Sequence, residues 1–395
     1  MIQPSGLPPQ SLYRLQAPIK NYAWGSRTLL AELTGSAPSQ TPQAEMWFGT
    51  HPTTPTLVED GTALADIADL PYLVKLLAAE QPLSIQAHPG KDLARIGFEA
   101  ENAAGIPLDH PQRTYKDANH KPEMLIALSN FTAMAGFRDP ADSSETFRQL
   151  GTLVNDADLA SLLGTMADQL AEGNIQGVFG QLVDPDGPFW EVEGFTRAIF
   201  TAVADSGTTD PYLRNALAAA RIHHDDPGAL VALLMHLIEL APGQALFVPS
   251  GTIHAYVSGL GLEVMATSDN VIRGGLTVKH IDVAELEKVV SYTPANPPII
   301  EPSVRTIDDV VVTRFTPPVT DFALTRYDLP PNTSLTITAV TPHIAVGTSG
   351  TGALSSGCET VEVTPGVGIF APGHGGSLDL STGGTGVTMF IASQP

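Results

Sequence analysis

The sequence predicts a mainly β protein with an inserted α-helical domain, built on two small antiparallel barrels. Three observations predict it. Short apolar runs cut by Pro, Gly and Asn fill the chain up to about Phe137 and return after Leu240, the texture of strands and turns. Between them Leu159, Leu162, Leu163, Met166 and Leu170 fall at i, i+3, i+4, i+7 and i+11, one face of a helix. Finally, Pro242-Gly243-Gln-Ala-Leu-Phe247-Val-Pro249 is matched by Pro365-Gly366-Val-Gly-Ile-Phe370-Ala-Pro372, the likeness running on to Gly251 and His374. A Pro-Gly turn feeding a short apolar strand that ends at a second Pro is one corner of a small barrel, and its recurrence predicts two barrels of one kind.

In chain order, residues 1–138 read as strands and loops with one or two helices, punctuated by Asn21-Tyr-Ala-Trp-Gly-Ser26 and Gly49-Thr-His-Pro52. Pro140 with Asp142 to Ser144 marks a helix start and Gly173 a stop. Segments 197–204, 212–222 and 227–240 read as further helices. Strands are expected at 245–248, 252–257 and 262–266, and a short helix at 285–290. Thr293-Pro-Ala-Asn-Pro-Pro298 is a linker candidate. From Ile299 onward the chain is rich in Val, Thr, Ile and Gly, has no lysine, and reads as a separate all-β domain. The expected domains are 1–138 with 241–296, 139–240, and 297–395.

Composition narrows the function. A chain of 395 residues with 43% hydrophobic and 16% charged residues is globular, with material for two or three domains. Asp plus Glu number 42 against 20 Lys plus Arg, a net charge of -22. Such a surface repels phosphate backbones and anionic lipid, so neither nucleic acid nor membrane is expected as a partner. Cys358 is the single cysteine. It excludes internal disulfides and Cys-rich zinc modules and fits a reducing cytosol. The N-terminus shows neither a basic stretch nor an apolar one, so no signal peptide is expected. The longest apolar run, 229–241, contains His236 and Glu239 and falls short of the ~20 residues of a membrane span. A cytoplasmic protein is expected.

Four segments concentrate chemistry. In Leu83-Ser-Ile-Gln86-Ala-His88-Pro89, Gln86 and His88 leave one face of a strand. In Tyr115-Lys-Asp-Ala-Asn-His120-Lys121-Pro122-Glu123-Met124, Lys121 and Glu123 share a face if the chain is extended, as Pro122 argues. Val248-Pro-Ser-Gly251-Thr-Ile-His254-Ala-Tyr256 and Ala266-Thr-Ser-Asp269-Asn270-Val-Ile-Arg273-Gly274-Gly275-Leu-Thr-Val-Lys279 complete the set. Gln86, His88, Glu123 and His254 make a mixed nitrogen and oxygen donor set suited to Zn²⁺, with Mn²⁺ and Fe²⁺ open. The lack of thiolates suits a catalytic site better than a closed structural one. Gln is an uncommon ligand, and the residues alone do not favour Gln86 over Ser84. Five of the seven lysines, Lys75, Lys91, Lys116, Lys121 and Lys279, lie in or beside these segments. Beside a metal site in so acidic a chain, they point to an anionic substrate.

Gln86-Ala-His88-Pro89, Asp117-Ala-Asn-His120-Lys121-Pro122-Glu123, Pro249-Ser-Gly251-Thr-Ile-His254-Ala-Tyr256 and Ser268-Asp269-Asn270-Val-Ile-Arg273-Gly-Gly-Leu-Thr-Val-Lys279 resemble the type I phosphomannose isomerase family. Asn21-Tyr-Ala-Trp24-Gly25 and Ala44-Glu45-Met46-Trp47-Phe-Gly49-Thr-His51-Pro52 resemble it as well. The resemblance implies a cupin fold: a metal-bearing jelly-roll barrel interrupted by helices, then a second, degenerate barrel. It implies one zinc per chain on Gln86, His88, Glu123 and His254. It puts phosphate and sugar contacts on Lys75, Lys121 and Arg273 with Ser84 nearby, and proton handling on His120 and Asp269, with Glu263 close. Gly and Val stand where the family more often has Ala and Pro after Arg273. In the second barrel Ser377 aligns with His254, so no metal is expected there.

The implied activity is reversible isomerisation of mannose 6-phosphate and fructose 6-phosphate through a zinc-stabilised cis-enediol. His120 and Glu263 are the candidate bases, Asp269 a ring-opening group, and Arg273 with Lys121 the phosphate clamp. A monomer is expected. An oxygenase-like metal cupin and a non-catalytic sugar-binding cupin are the rival readings; the clamp argues against the first and the full ligand set against the second.

Overall fold

The computed structural model describes residues 12–184, 187, 194–373 and 376–395. The architecture is mainly β. The described strands form an 11-stranded and a 10-stranded sheet, and the longer helices other than Lys91–Ala103 gather in one stretch of chain, Pro140–Leu153, Ala157–Ala171, Ile175–Val183, Phe195–Asp205 and Pro211–Ile222.

Apart from Phe195–Asp205, which follows Gly194, these helices start where side chains satisfy their orphan N–H groups. Asp139 accepts from Ala141 N with Pro140 at the first position. Asp156 accepts from Asp158 N and Leu159 N, and Asp210 from Leu213 N ahead of Pro211. Leu159, Leu163, Met166 and Leu170 are buried as the stripe predicts. The expected start at Pro140 and stop at Gly173 bracket two helices rather than one. Val154 turns extended and Asp156 caps a fresh start. Ile175–Val183, capped by Asn174, is a helix the sequence reading lacks.

The expectation of a helix over 227–240 is half wrong. A short helix Gly228–Val231 and a 3₁₀ turn Ala232–Leu234 give way to a strand, Met235–Leu240. That strand pairs antiparallel with Phe131–Phe137, Ala133 opposite Ile238. The segment is almost wholly apolar, so its period does not separate helix from strand. The available edge of Phe131–Phe137 decides. Segments 252–257 and 262–266 likewise merge into one 13-residue strand, His254–Ala266.

Both Pro-Gly corners fold alike. Gly243 at φ 91° and Gly366 at φ 83° take the left-handed turn that favours glycine. Each feeds a four-residue strand buried at every position, Ala245–Val248 and Gly368–Ala371. The two lie in different sheets. His374, at the end of the likeness, lies outside the described residues. Residues 293–298 carry no regular element, yet pairing crosses this boundary in both directions. Ile299–Ile300 pairs back on Ala245–Leu246, while Tyr13–Gln16 pairs with Gly368–Ala371 in the other sheet.

Period-2 alternation creates the layers. Tyr72–Ala79 is buried on both faces. Tyr72, Val74, Leu76 and Ala78, with Met124, Ile126, Leu262 and Val264, pack on Phe315, Phe322, Ile344, Phe370 and Phe390 of the 10-stranded sheet. The opposite face carries Lys75, Glu123 and Glu263. The other side of the site is walled by Ile85–Ala87, Phe131–Phe137 and the first half of His254–Ala266. There Ile85, Ala87, Ile253, Ala255 and Val257 pack on the helices, which aims Gln86, His254 and Tyr256 inward. His254–Ala266 joins both walls. It bends where its register slips between Tyr256 and Ser258 and where Gly259 takes φ 120°.

Candidate metal centre and active site

Three ligand candidates meet because each sits at a strand end. Glu123 opens the strand Glu123–Ala127, His254 opens His254–Ala266, and His88 follows Ile85–Ala87 by one residue. Their donor atoms lie within 4.8 Å of one another. None of the three side chains is more than 2% exposed. His88 Nε2 is 3.3 Å from Glu123 Oε1, and His254 Nε2 is 3.3 Å from Glu123 Oε2.

The outer nitrogens fix what the inner ones can do. His88 Nδ1 lies 2.7 Å from the Asn270 carbonyl oxygen and His254 Nδ1 3.0 Å from that of Thr252. A carbonyl only accepts, so each Nδ1 carries the proton and each Nε2 turns a lone pair inward. Two lone pairs and a carboxylate thus converge, and His88 Nε2 and Glu123 Oε2 are buried without a hydrogen-bond partner. Such groups cost free energy unless a cation sits among them. The chemistry of this donor set fits a divalent metal. Gln86 stands opposite His254 in register, its amide nitrogen 3.4 Å from His254 Nε2. A half-turn of the amide presents the oxygen there instead.

Electrostatics agree. Burial, aided by the Lys121 charge, pushes His88 down to about 4, so it is neutral at pH 7. Burial raises Glu123, but Lys121 and His88 outweigh it and hold the carboxyl well below the usual range. Lys121 Nζ sits 2.9 Å from Glu123 Oε1, as the shared face predicts.

Lys75 faces Glu263 at 3.0 Å and Glu45 at 3.5 Å, all three nearly sealed from solvent. Burial lowers Lys75, yet Glu263 and Glu45 reverse the sign and keep it charged. Glu263 is pushed up, first by burial and then by Glu123 and Glu45, against the pull of Lys75. Trp47 Nε1 donates to Glu45 at 2.9 Å.

Asp269, 40% exposed, lies 3.2 Å from His51 Nε2. His120 Nε2 lies 3.1 Å from both carboxylate oxygens of Asp321. Ser84 is half-buried just before the strand carrying Gln86. Arg273 stands opposite Gln86, but it groups with Lys116 and Lys279 rather than with Lys121. These three, with Arg113, line a basic cavity of about 460 Å³. Ser377 is exposed on the strand Gly376–Ser393. Among the described residues, His88, Glu123 and His254 are the one group of this kind able to hold a metal.

Sequence reasoning assigned no role to His51, Asn270 or Asp321. The signal for the first two was present: both lie inside the quoted motifs. Asp321 sits among Thr316-Pro-Pro-Val-Thr-Asp321, remote from any motif.

Fold and site together define a β-sheet protein with a buried His–Glu–His metal centre beside a basic cavity. A family model described as phosphomannose isomerase type I, catalytic domain, matches residues 12–140. The chain is 36% identical over 377 residues to the mannose-6-phosphate isomerase of Escherichia coli (strain K12), covering 89% of this chain and 92% of that one. It is 32% identical over 361 residues to the Homo sapiens enzyme, covering 81% and 82%. The solved mannose 6-phosphate isomerase from Salmonella typhimurium, bound to substrate (f6p) and zinc, matches with a TM-score of 0.83 at 31% identity, over 98% of this chain and 100% of that one. The chain belongs to the type I phosphomannose isomerase family.

Proposed function

We propose that the chain interconverts D-mannose 6-phosphate and D-fructose 6-phosphate, with one zinc held by Gln86, His88, Glu123 and His254. The observation that carries this is the buried convergence of the His88 and His254 lone pairs on Glu123, in a chain of this family. These relatives favour neither the oxygenase-like nor the non-catalytic reading. Zinc bound here supplies a Lewis acid for negative charge developing on the sugar oxygens.

The reaction opens the ring, removes the C2 proton and returns it to C1. We assign the base to His120, whose side chain is 21% exposed and reachable. Glu263 is only 2% exposed and engaged by Lys75, so these two serve as a buried charge pair beside the ligands. Asp269, held by His51, assists ring opening. Arg273 takes the phosphate with Lys116 and Lys279, which the sequence reading placed only among the lysines that point to an anionic substrate. Lys121 neutralises Glu123 and draws the anionic sugar inward, and Ser84 is a further sugar contact. We further propose two cupin barrels, one drawn mainly from 1–138 with 241–296 and a degenerate one mainly from 297–395, interrupted by a helical domain that ends before the strand Met235–Leu240; Tyr13–Gln16 and Ile299–Ile300 each pair across that division. The chain works as a cytoplasmic monomer with no nucleic-acid or membrane partner; no described helix is long and apolar enough to cross a membrane.

The test is metal content and mannose 6-phosphate turnover, measured together in Glu123→Gln and His254→Ala. Both should fall in step. Full metal content in both variants would overturn the ligand assignment.

A further inference from the structure

His120 has a partner from the opposite end of the chain. Asp321 lies 201 residues away, on the connection between strands Val310–Phe315 and Ala323–Leu329 of the 10-stranded sheet. Both its oxygens stand 3.1 Å from His120 Nε2, and its side chain is 12% exposed. The hydrogen bond from His120 outweighs partial burial, and with the Lys91 charge it holds the Asp321 carboxyl below the usual range. Asp321 is thus ionised at neutral pH and accepts only.

The connection is anchored. Val319 N donates to Pro317 O at 2.8 Å. Phe322, next to Asp321, is fully buried and packs in the core shared with Tyr72 and Met124 of the metal-bearing sheet. The carboxylate is therefore placed by the same packing that joins the two sheets.

We infer that Asp321 is a positioning residue for the isomerisation, holding His120 in the tautomer with the proton on Nε2 and a lone pair on Nδ1. This rests on the reading of His120 as the base. Nδ1 then takes the C2 proton to give an imidazolium and returns that proton to C1. Asp321 stays ionised throughout and stabilises the imidazolium, as a buried carboxylate does behind a catalytic histidine. The ligandless sheet thus supplies a working part of the active site.

The experiment compares parent, Asp321→Ala, Asp321→Asn, His120→Ala and the double variant His120→Ala/Asp321→Ala, each zinc-loaded and with folding checked by melting temperature. Asp321→Ala should lower kcat roughly ten- to hundredfold, the range typical of a lost orienting partner, with KM and zinc content within about twofold of the parent. Asp321→Asn should also lose activity, because its amide nitrogen can donate to Nε2 and favour the other tautomer and a neutral amide does not stabilise the imidazolium, and it reports the effect should the alanine variant fold poorly. On top of His120→Ala, Asp321→Ala should cost nothing further. Parental kcat in both Asp321 variants overturns the inference, as does an undiminished loss in the His120→Ala background. Parental kcat in His120→Ala instead removes the base assignment itself.

Discussion

At Glu123 a single carboxylate meets two imidazole lone pairs and one ammonium group, and each contact has a different sequence origin. His88 was legible as a histidine beside the other motif residues, whereas Gln86, on the same strand face as Ser84, was told from it only by the family resemblance. Lys121 was legible because Pro122 keeps the chain extended toward Glu123. His254 was legible only as a lone histidine after a Pro-Ser-Gly turn. Lys116 and Lys279 were legible as scarce cations beside the motifs, and Arg273 through the family resemblance; that the three line one cavity is what no local spacing encodes. Replacing Arg273 by Ala should remove a charge-assisted bond to phosphate worth about 1.5–3 kcal/mol, roughly ten- to hundredfold in kcat/KM. Zinc content should stay unchanged. An Arg273→Ala variant that binds fructose 6-phosphate as tightly as the parent would take the phosphate role from it.

The Asp321–His120 pair also predicts a pH effect on stability. The folded carboxyl sits below its free value. Its contribution is therefore fully present above the unfolded value, about 3.9, and fades as pH falls through the lower folded value. Urea midpoints of the parent and Asp321→Asn should differ above pH ~4 and converge below it. A difference that widens on acidification would contradict the ionised assignment.

Among the elements, the strand His254–Ala266 does the most to build the site. It supplies His254 to one wall and Glu263 to the other, and the bend between them depends on Gly259. A Cβ there would stand 2.6 Å from the Asn130 carbonyl oxygen, at φ 120°. Gly259→Ala should therefore destabilise by more than the ~1 kcal/mol usual for a tolerated change, with zinc affinity falling as His254 moves. Parental stability in that variant, read by chemical denaturation, would show that the bend does not need glycine. The sequence reading has two short strands here, and pairing on Tyr72–Ala79 carries one strand through the glycines between them. The opposite error at 227–240 has the same root. Apolar runs without a clear period take their form from the neighbour that pairs with them. Helices with a capping Asp and an apolar stripe, such as Ala157–Ala171, needed no neighbour to be recognised.

For the whole molecule, the repeated Pro-Gly corner predicts two barrels of one kind; the structure shows two like corners, one in each sheet. What no local pattern encoded is how far the sheets interlock. Tyr13–Gln16 belongs to the far sheet. The Tyr72 hydroxyl stands 3.0 Å from Pro342 O and 3.1 Å from Ala392 O, bridging the sheets through their common core. Tyr72→Phe should cost about 0.5–1.5 kcal/mol, because the one hydroxyl proton it removes is shared between these two carbonyls. A melting temperature equal to the parent's would mean the sheets do not rely on this bridge.

The central claim concerns the whole chain as well: one metal centre, at His88, Glu123 and His254, runs the chemistry. The most direct measurement strips the protein of metal and titrates zinc back while following mannose 6-phosphate turnover. Activity should be absent at the start, rise in proportion to zinc, and level off at one equivalent per chain. Turnover in the fully stripped protein, or activity that keeps rising to two equivalents, would contradict it.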